Sequence, residues 1–158
     1  MKQKIHWWNL AISIVAAELV GTLSALLSGN YSGEYQALHQ PPLSPPGWVF
    51  PVVWGILYAL MGISAYLIYQ SDADPGRKKR ALWVYAAQLF VNFSWSIVFF
   101  RFQAFWLSVI VILILDILVI ATMVLFGRIR KAAAYFLIPY LLWLLFATYL
   151  DIGVAVLN

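Results

Sequence analysis

Five long apolar runs, separated by short polar or proline-rich connections, decide what this 158-residue chain can fold into. They cover about residues 7–28, 47–70, 80–100, 104–126 and 132–156. Each is long enough to cross the hydrocarbon of a bilayer, which takes roughly 20 predominantly apolar residues. Inside that hydrocarbon every backbone N–H and C=O must be satisfied within its own segment, so the runs are expected to be helices. Water-soluble domains carry about 25% charged residues. Here the share is 10%, against 64% hydrophobic, too little polar side chain to cover a water-facing globule. Residues 1–158 are therefore read as one all-α membrane domain, a bundle of five transmembrane helices. The first run is too long for a signal-peptide core and no small-residue cleavage site closes it, so it reads as an uncleaved span.

The net charge of +4 is better explained by topology than by a nucleic-acid partner, which is not expected. Lys2, Lys4, Arg77, Lys78, Lys79, Arg80, Arg128, Arg130 and Lys131 fall on one face of a five-span chain and leave only Arg101 on the other. By the positive-inside rule this predicts a cytoplasmic N-terminus and an outside C-terminus. The basic run 77–80 reads first as this topology signal, with a lipid-headgroup role as the lesser alternative.

Residues 29–46 hold Gly29, Asn30, Gly33, Pro41, Pro42, Pro45 and Pro46. The prolines remove amide donors and forbid regular helix, so the segment is expected to lie at the outer surface as a lid folded over the helix ends. Pro51 falls in the first turn of its helix, where a missing N–H costs little. Pro139 falls within the fifth helix and is expected to kink it.

Aromatic residues make up 17% of the chain, with eight tryptophans, more than an interfacial belt requires. Trp7, Trp8, Trp83 and Trp106 sit at span ends and read as anchors. Trp54 and Trp143 lie deeper and read as cavity lining. Polar groups within the spans, Glu18, Gln88, Asn92, Asp116 and Asp151, are costly in lipid and tend to face an interior. Gln88 and Asn92 are four apart, and Trp95, Ser96 and Phe99 continue their stripe. They serve equally well as interhelix bridges or as groups facing a ligand. Asp116 and Glu18 read as structural or protonated groups in preference to a proton relay. A pocket with rings from helices two and five and an amide from helix three suits a large, flat, mostly apolar ligand. Catalytic motifs are absent, as are cysteines and any histidine pair at metal spacing, so neither a metal site nor a resident cofactor is expected. No inverted hydropathy repeat stands out, which counts against a secondary transporter.

Pro41-Pro42-Leu43-Ser44-Pro45-Pro46-Gly47-Trp48-Val49-Phe50, followed by Val53-Trp54 and Leu57-Tyr58, resembles the first loop and second helix of the translocator protein family, the tryptophan-rich sensory proteins. Ala87-Gln88, Asn92, Trp95 and Phe99-Phe100 are similar to that family's third helix, and Asp116 with Thr122 to its fourth. Ile138-Pro139-Tyr140-Leu141-Leu142-Trp143 and Phe146-Ala147-Thr148-Tyr149-Leu150 are similar to its fifth. The resemblance implies a homodimeric membrane receptor in a bacterial plasma membrane. It implies a pocket for porphyrins (protoporphyrin IX, haem) and for isoquinoline- or benzodiazepine-type ligands. By position it implies Trp54, Asn92, Ser96, Trp143 and Ala147 as pocket residues, with Tyr35, Pro45 and Phe50 above. It further implies light- and oxygen-dependent porphyrin breakdown at Trp54 and Trp143, the only enzymatic role in view. A carrier for porphyrin or another apolar metabolite, and a regulatory protein acting through partner contacts, are the rival roles. The chain departs from the family at Glu34 and Leu43, where relatives often carry Trp, and at Asp151, where Asn is common. No Lys or Arg follows Tyr149 to complete a sterol pattern, so sterol is not an expected ligand.

Overall fold

The computed structural model describes residues 4–29 and 35–158; Lys2, Asn30, Gly33 and Glu34 lie outside them. The described chain is helical throughout its spans: α1 (Trp7–Leu27), α2 (Val49–Tyr69), α3 (Pro75–Ser96), α4 (Phe105–Ile129), α5 (Lys131–Phe136) and α6 (Ile138–Leu157). Five helical stretches are long and apolar enough to cross a membrane, the third being α3 with its extension to Arg101 and the fifth α5 with α6. Around the bundle the spans follow the order first, second, fifth, fourth, third and back to first, and the second also touches the third across the middle.

Helix α3 begins at Pro75, five residues before the apolar run. Asp74 supplies the start: its Oδ2 accepts from the backbone N–H of Gly76 at 3.1 Å and of Arg77 at 3.3 Å. Pro75 occupies the first helical position, where it has no donor to lose. Arg77–Arg80 are thus a helical turn and not a loop. At its other end α3 widens into a π-helical turn, Ile97–Arg101, in which Phe102 N–H reaches back to Ile97 O at 3.2 Å. Such turns recur at functional sites.

The expected kink at Pro139 takes the form of a break. The helix stops at Phe136, Leu137 forms the joint, and α6 restarts with Pro139 in its first turn. Lacking an N–H, Pro139 is accommodated where a donor is not needed.

Small residues bring α1 onto α2. A Cβ at Gly62 would strike the backbone of Ile14, and Ser13 Oγ donates to Gly62 O over 2.7 Å. In lipid such close backbone approach and interhelix hydrogen bonds carry much of the association. Ser24 Oγ donates to Phe93 O of α3 (2.9 Å), and Ser64 Oγ of α2 to Ala133 O of α5 (2.7 Å). The core lies between α2, α3, α4 and α6, where Met61, Ile112, Leu115, Tyr140 and Leu144 are fully buried. The four tryptophans expected as anchors are all exposed.

The lid segment from Tyr35 to Pro46 is tied to α6. Tyr149 Oη donates to Pro42 O (2.7 Å), Asn158 Nδ2 donates to His39 O (2.8 Å), and His39 N–H donates to Asn158 Oδ1 (3.2 Å). Pro41 packs so closely on Gly153 that a Cβ there would collide with its ring. Leu43 sits at φ 70°, in the left-handed region that bulky residues rarely adopt.

Candidate functional site

A cavity of about 400 Å³ opens between α1, α2 and the end of α3, within the range of small-molecule sites. Phe50, Pro51, Trp54, Gly55 and Tyr58 of α2 form one wall. Asn92, Trp95, Ser96 and Phe100 form the second, and Glu18, Gly21, Thr22, Ser24, Ala25 and Leu26 of α1 the third. Helical spacing explains each wall: 18, 21, 22 and 25 share a face of α1, and 50, 54 and 58 a face of α2.

The indole rings of Trp54 and Trp95 lie 6.4 Å apart between centroids, inclined by 40°. Trp95 also stacks on Phe99 at 5.5 Å, and its Nε1–H donates to Asp151 Oδ2 at 2.9 Å. Ser108 Oγ donates to Asp151 Oδ1 at 2.7 Å, so this buried carboxylate is fully occupied in holding α3, α4 and α6 together. Trp54 packs against Tyr58 at 5.7 Å and edge-on to Tyr140 at 6.1 Å.

Below the indoles runs a buried chain of hydrogen bonds. Tyr58 Oη donates to Asn92 Oδ1 (2.7 Å), Asn92 Nδ2 donates to Tyr140 Oη (2.6 Å), and Tyr140 Oη donates to Gln88 Oε1 (2.8 Å). Gln88 Nε2 then reaches Met61 Sδ at 3.8 Å. Of the two roles open to Gln88 and Asn92, interhelix bridging is the one these contacts display. Asn92 nevertheless lines the cavity as well.

The sequence-derived site residues divide into two groups. Phe50, Trp54, Asn92 and Ser96 line the cavity together. Tyr35, Pro45, Trp143 and Ala147 do not. Tyr35 is the buried first residue of the described lid segment, edge-on to Phe50 at 4.8 Å, and Phe50 in turn meets Trp143 at 5.9 Å. Burial pushes the Tyr35 phenol up from its ordinary value. Phe50 therefore stands between the cavity and a second aromatic layer of Tyr35, Trp143 and Phe146. Trp143 Nε1 is buried with no hydrogen-bond partner among the described residues. Ala147 is buried in α6 and Pro45 half-buried in the lid. Asp116 accepts from Thr148 Oγ1 at 2.8 Å, while its other oxygen is buried unpartnered.

Sequence reasoning placed no part of α1 in the site, yet α1 supplies a whole wall. A polar residue with a glycine three positions on, Glu18 and Gly21, was the available signal. Trp95 could have been added from the Gln88–Asn92 stripe.

The comparisons with known proteins agree with this architecture. The family described as the TspO/MBR family matches residues 11–157. The chain is 35% identical over 124 residues to a tryptophan-rich protein TspO of Chlorobaculum tepidum, covering 78% of each. It is 34% identical over 152 residues to a tryptophan-rich sensory protein of Cereibacter sphaeroides, covering 96% of this chain and 92% of the relative. To a translocator protein of Bos taurus it is 32% identical over 148 residues, covering 89% and 86%. With five spans in order and the similarity running nearly end to end, this integral membrane protein belongs to the TspO/MBR family.

Proposed function

We propose that this chain is a membrane receptor of the sensory type that binds flat aromatic ligands between α1, α2 and α3. Porphyrins (protoporphyrin IX and haem) and isoquinoline- or benzodiazepine-type compounds are the ligand classes. The observation that carries the reading is the cavity whose lining includes the Trp54 and Trp95 indoles, in contact at 6.4 Å between centroids. Adjacent indoles in a cavity lining offer aromatic surface on which a planar apolar body packs. Relatives named as a tryptophan-rich sensory protein and a translocator protein support it.

Nine of the ten Lys and Arg residues fall at one end of the spans in sequence, which supports a cytoplasmic N-terminus and a place in a bacterial plasma membrane. The outer face of α1 is apolar and exposed (Ile12, Val15, Leu19, Leu23), in keeping with a homodimer in the bilayer. Photo-oxidative breakdown of a bound porphyrin falls to Trp54 first, since Trp143 stands behind Phe50.

Titrating protoporphyrin IX against indole fluorescence in detergent or nanodiscs tests binding. Wild type should quench saturably, and Trp54→Phe should weaken binding by about fivefold or more, as a buried aromatic contact requires. Equal affinity in that variant overturns the assignment. The rival reading, a carrier, is separated by porphyrin flux in proteoliposomes: a sensor gives none above empty vesicles.

A further inference from the structure

The three walls of the cavity differ in chemistry. Two are aromatic and amide. The α1 wall carries Glu18, the only acidic residue lining the space among the described residues, and no described Lys, Arg or His lines it. Glu18 Oε1 is buried and has no hydrogen-bond partner among the described residues. The Tyr58 hydroxyl does not serve it. The Tyr58 ring fills the space next to Gly21, one turn along from Glu18, but its Oη donates to Asn92. An acceptor oxygen withdrawn from water and left unpaired is costly, more so at membrane depth, and such groups mark sites of ligand or ion contact.

Resting on the cavity reading above, we propose that Glu18 selects the ligand: it accepts a protonated nitrogen on a flat aromatic body and makes the cavity prefer cationic aromatics over neutral ones of the same shape. The Trp54 and Trp95 indoles in the same lining add to that preference, because a cation over an indole is attracted by the ring quadrupole. A cation–carboxylate hydrogen bond in a water-poor site is about twice as strong as a neutral one. A ligand bearing acidic groups, a porphyrin among them, binds with those groups turned away from α1.

The test uses the full chain in phosphatidylcholine nanodiscs, whose zwitterionic surface does not concentrate cations. Two probes share one ring system: proflavine, protonated at neutral pH, and acridine, neutral there. Indole quenching is followed for wild type, Glu18→Gln and Trp54→Phe, each checked for an unchanged melting curve. Wild type should bind proflavine about tenfold more tightly than acridine, and Glu18→Gln should reduce that ratio to near unity. A ratio that survives Glu18→Gln overturns the inference. So does a wild-type ratio below about twofold, which needs no variant at all. If acridine quenches wild type in a Trp54-dependent way with no preference for the cation, the selection by Glu18 falls and the cavity reading stands. If neither probe gives Trp54-dependent quenching, the cavity reading falls and takes this inference with it.

Discussion

Asn92 donates its carboxamide N–H to the Tyr140 hydroxyl over 2.6 Å, and the Tyr140 hydroxyl in turn donates to Gln88 Oε1 over 2.8 Å. One phenol thus ties both amides of α3 to α6, while Tyr58 ties Asn92 to α2. Three helices that have no hydrophobic reason to prefer each other over lipid are held by groups with few other partners at that depth.

Tyr140→Phe should destabilise the protein by about 1–2 kcal/mol, because it leaves Asn92 and Gln88 each short of a partner. Tyr58→Phe removes one bond only and should cost about half as much. Reversible unfolding in mixed micelles measures both. Equal costs would mean that Tyr140 does not act as the shared node.

Asp151 accepts from Trp95 and from Ser108. Asp151→Ala strands the buried Trp95 Nε1–H, while Ser108 Oγ keeps Phe105 O as acceptor at 2.6 Å, and should cost about 1–3 kcal/mol. Asp151→Asn keeps an acceptor oxygen for the Trp95 indole and should cost less. Because Trp95 forms a cavity wall, Asp151→Ala should also weaken aromatic-ligand binding several-fold. Fluorescence titration beside thermal melting separates the two effects: a loss of stability with affinity intact would detach Asp151 from the site.

Gly153 holds the lid. A methyl group at that position would occupy the ring of Pro41, so Gly153→Ala should lift the segment 35–46 while Tyr149 and Asn158 still tether it. Hydrogen exchange should accelerate at His39 and Leu38 and remain slow through α3. Unchanged exchange in the lid would show that Pro41 moves aside without consequence.

The spans were legible because lipid enforces one rule on every backbone group, and that rule shows directly as apolar run length. Their ends were less legible. Asp74-Pro75 carries a clear helix start, but the charges of Arg77–Arg80 masked it because only hydropathy marked the boundary. The π turn at Ile97–Arg101 has no signal in composition or period; it depends on how Phe99, Phe100 and Trp95 pack. In the site, helical spacing found the α2 and α3 walls, since Trp54, Asn92 and Ser96 sit on stripes of their own helices. It could not find the α1 wall, where Gly21 contributes by lacking a side chain. Nor could it show that Phe50 would line the cavity and meet Trp143 on its other side, a tertiary contact that no pattern within one helix records.

That intervening ring makes the two deep tryptophans experimentally distinguishable. Trp54 faces the cavity, whereas Trp143 touches Phe50 and Phe146 and has its Nε1 buried without a partner. Trp143→Phe removes no satisfied hydrogen bond and keeps an aromatic ring against Phe50, so affinity for a planar ligand should stay within about twofold of wild type. Trp54→Phe should lose about fivefold or more. Phe50→Ala removes the partition, joining the cavity to the layer under the lid. In that background Trp143→Phe should begin to matter, giving a coupling between positions 50 and 143 that a double-mutant cycle reads directly. If Trp143→Phe alone costs as much as Trp54→Phe, the ligand reaches the lid layer and Phe50 must swing aside to admit it.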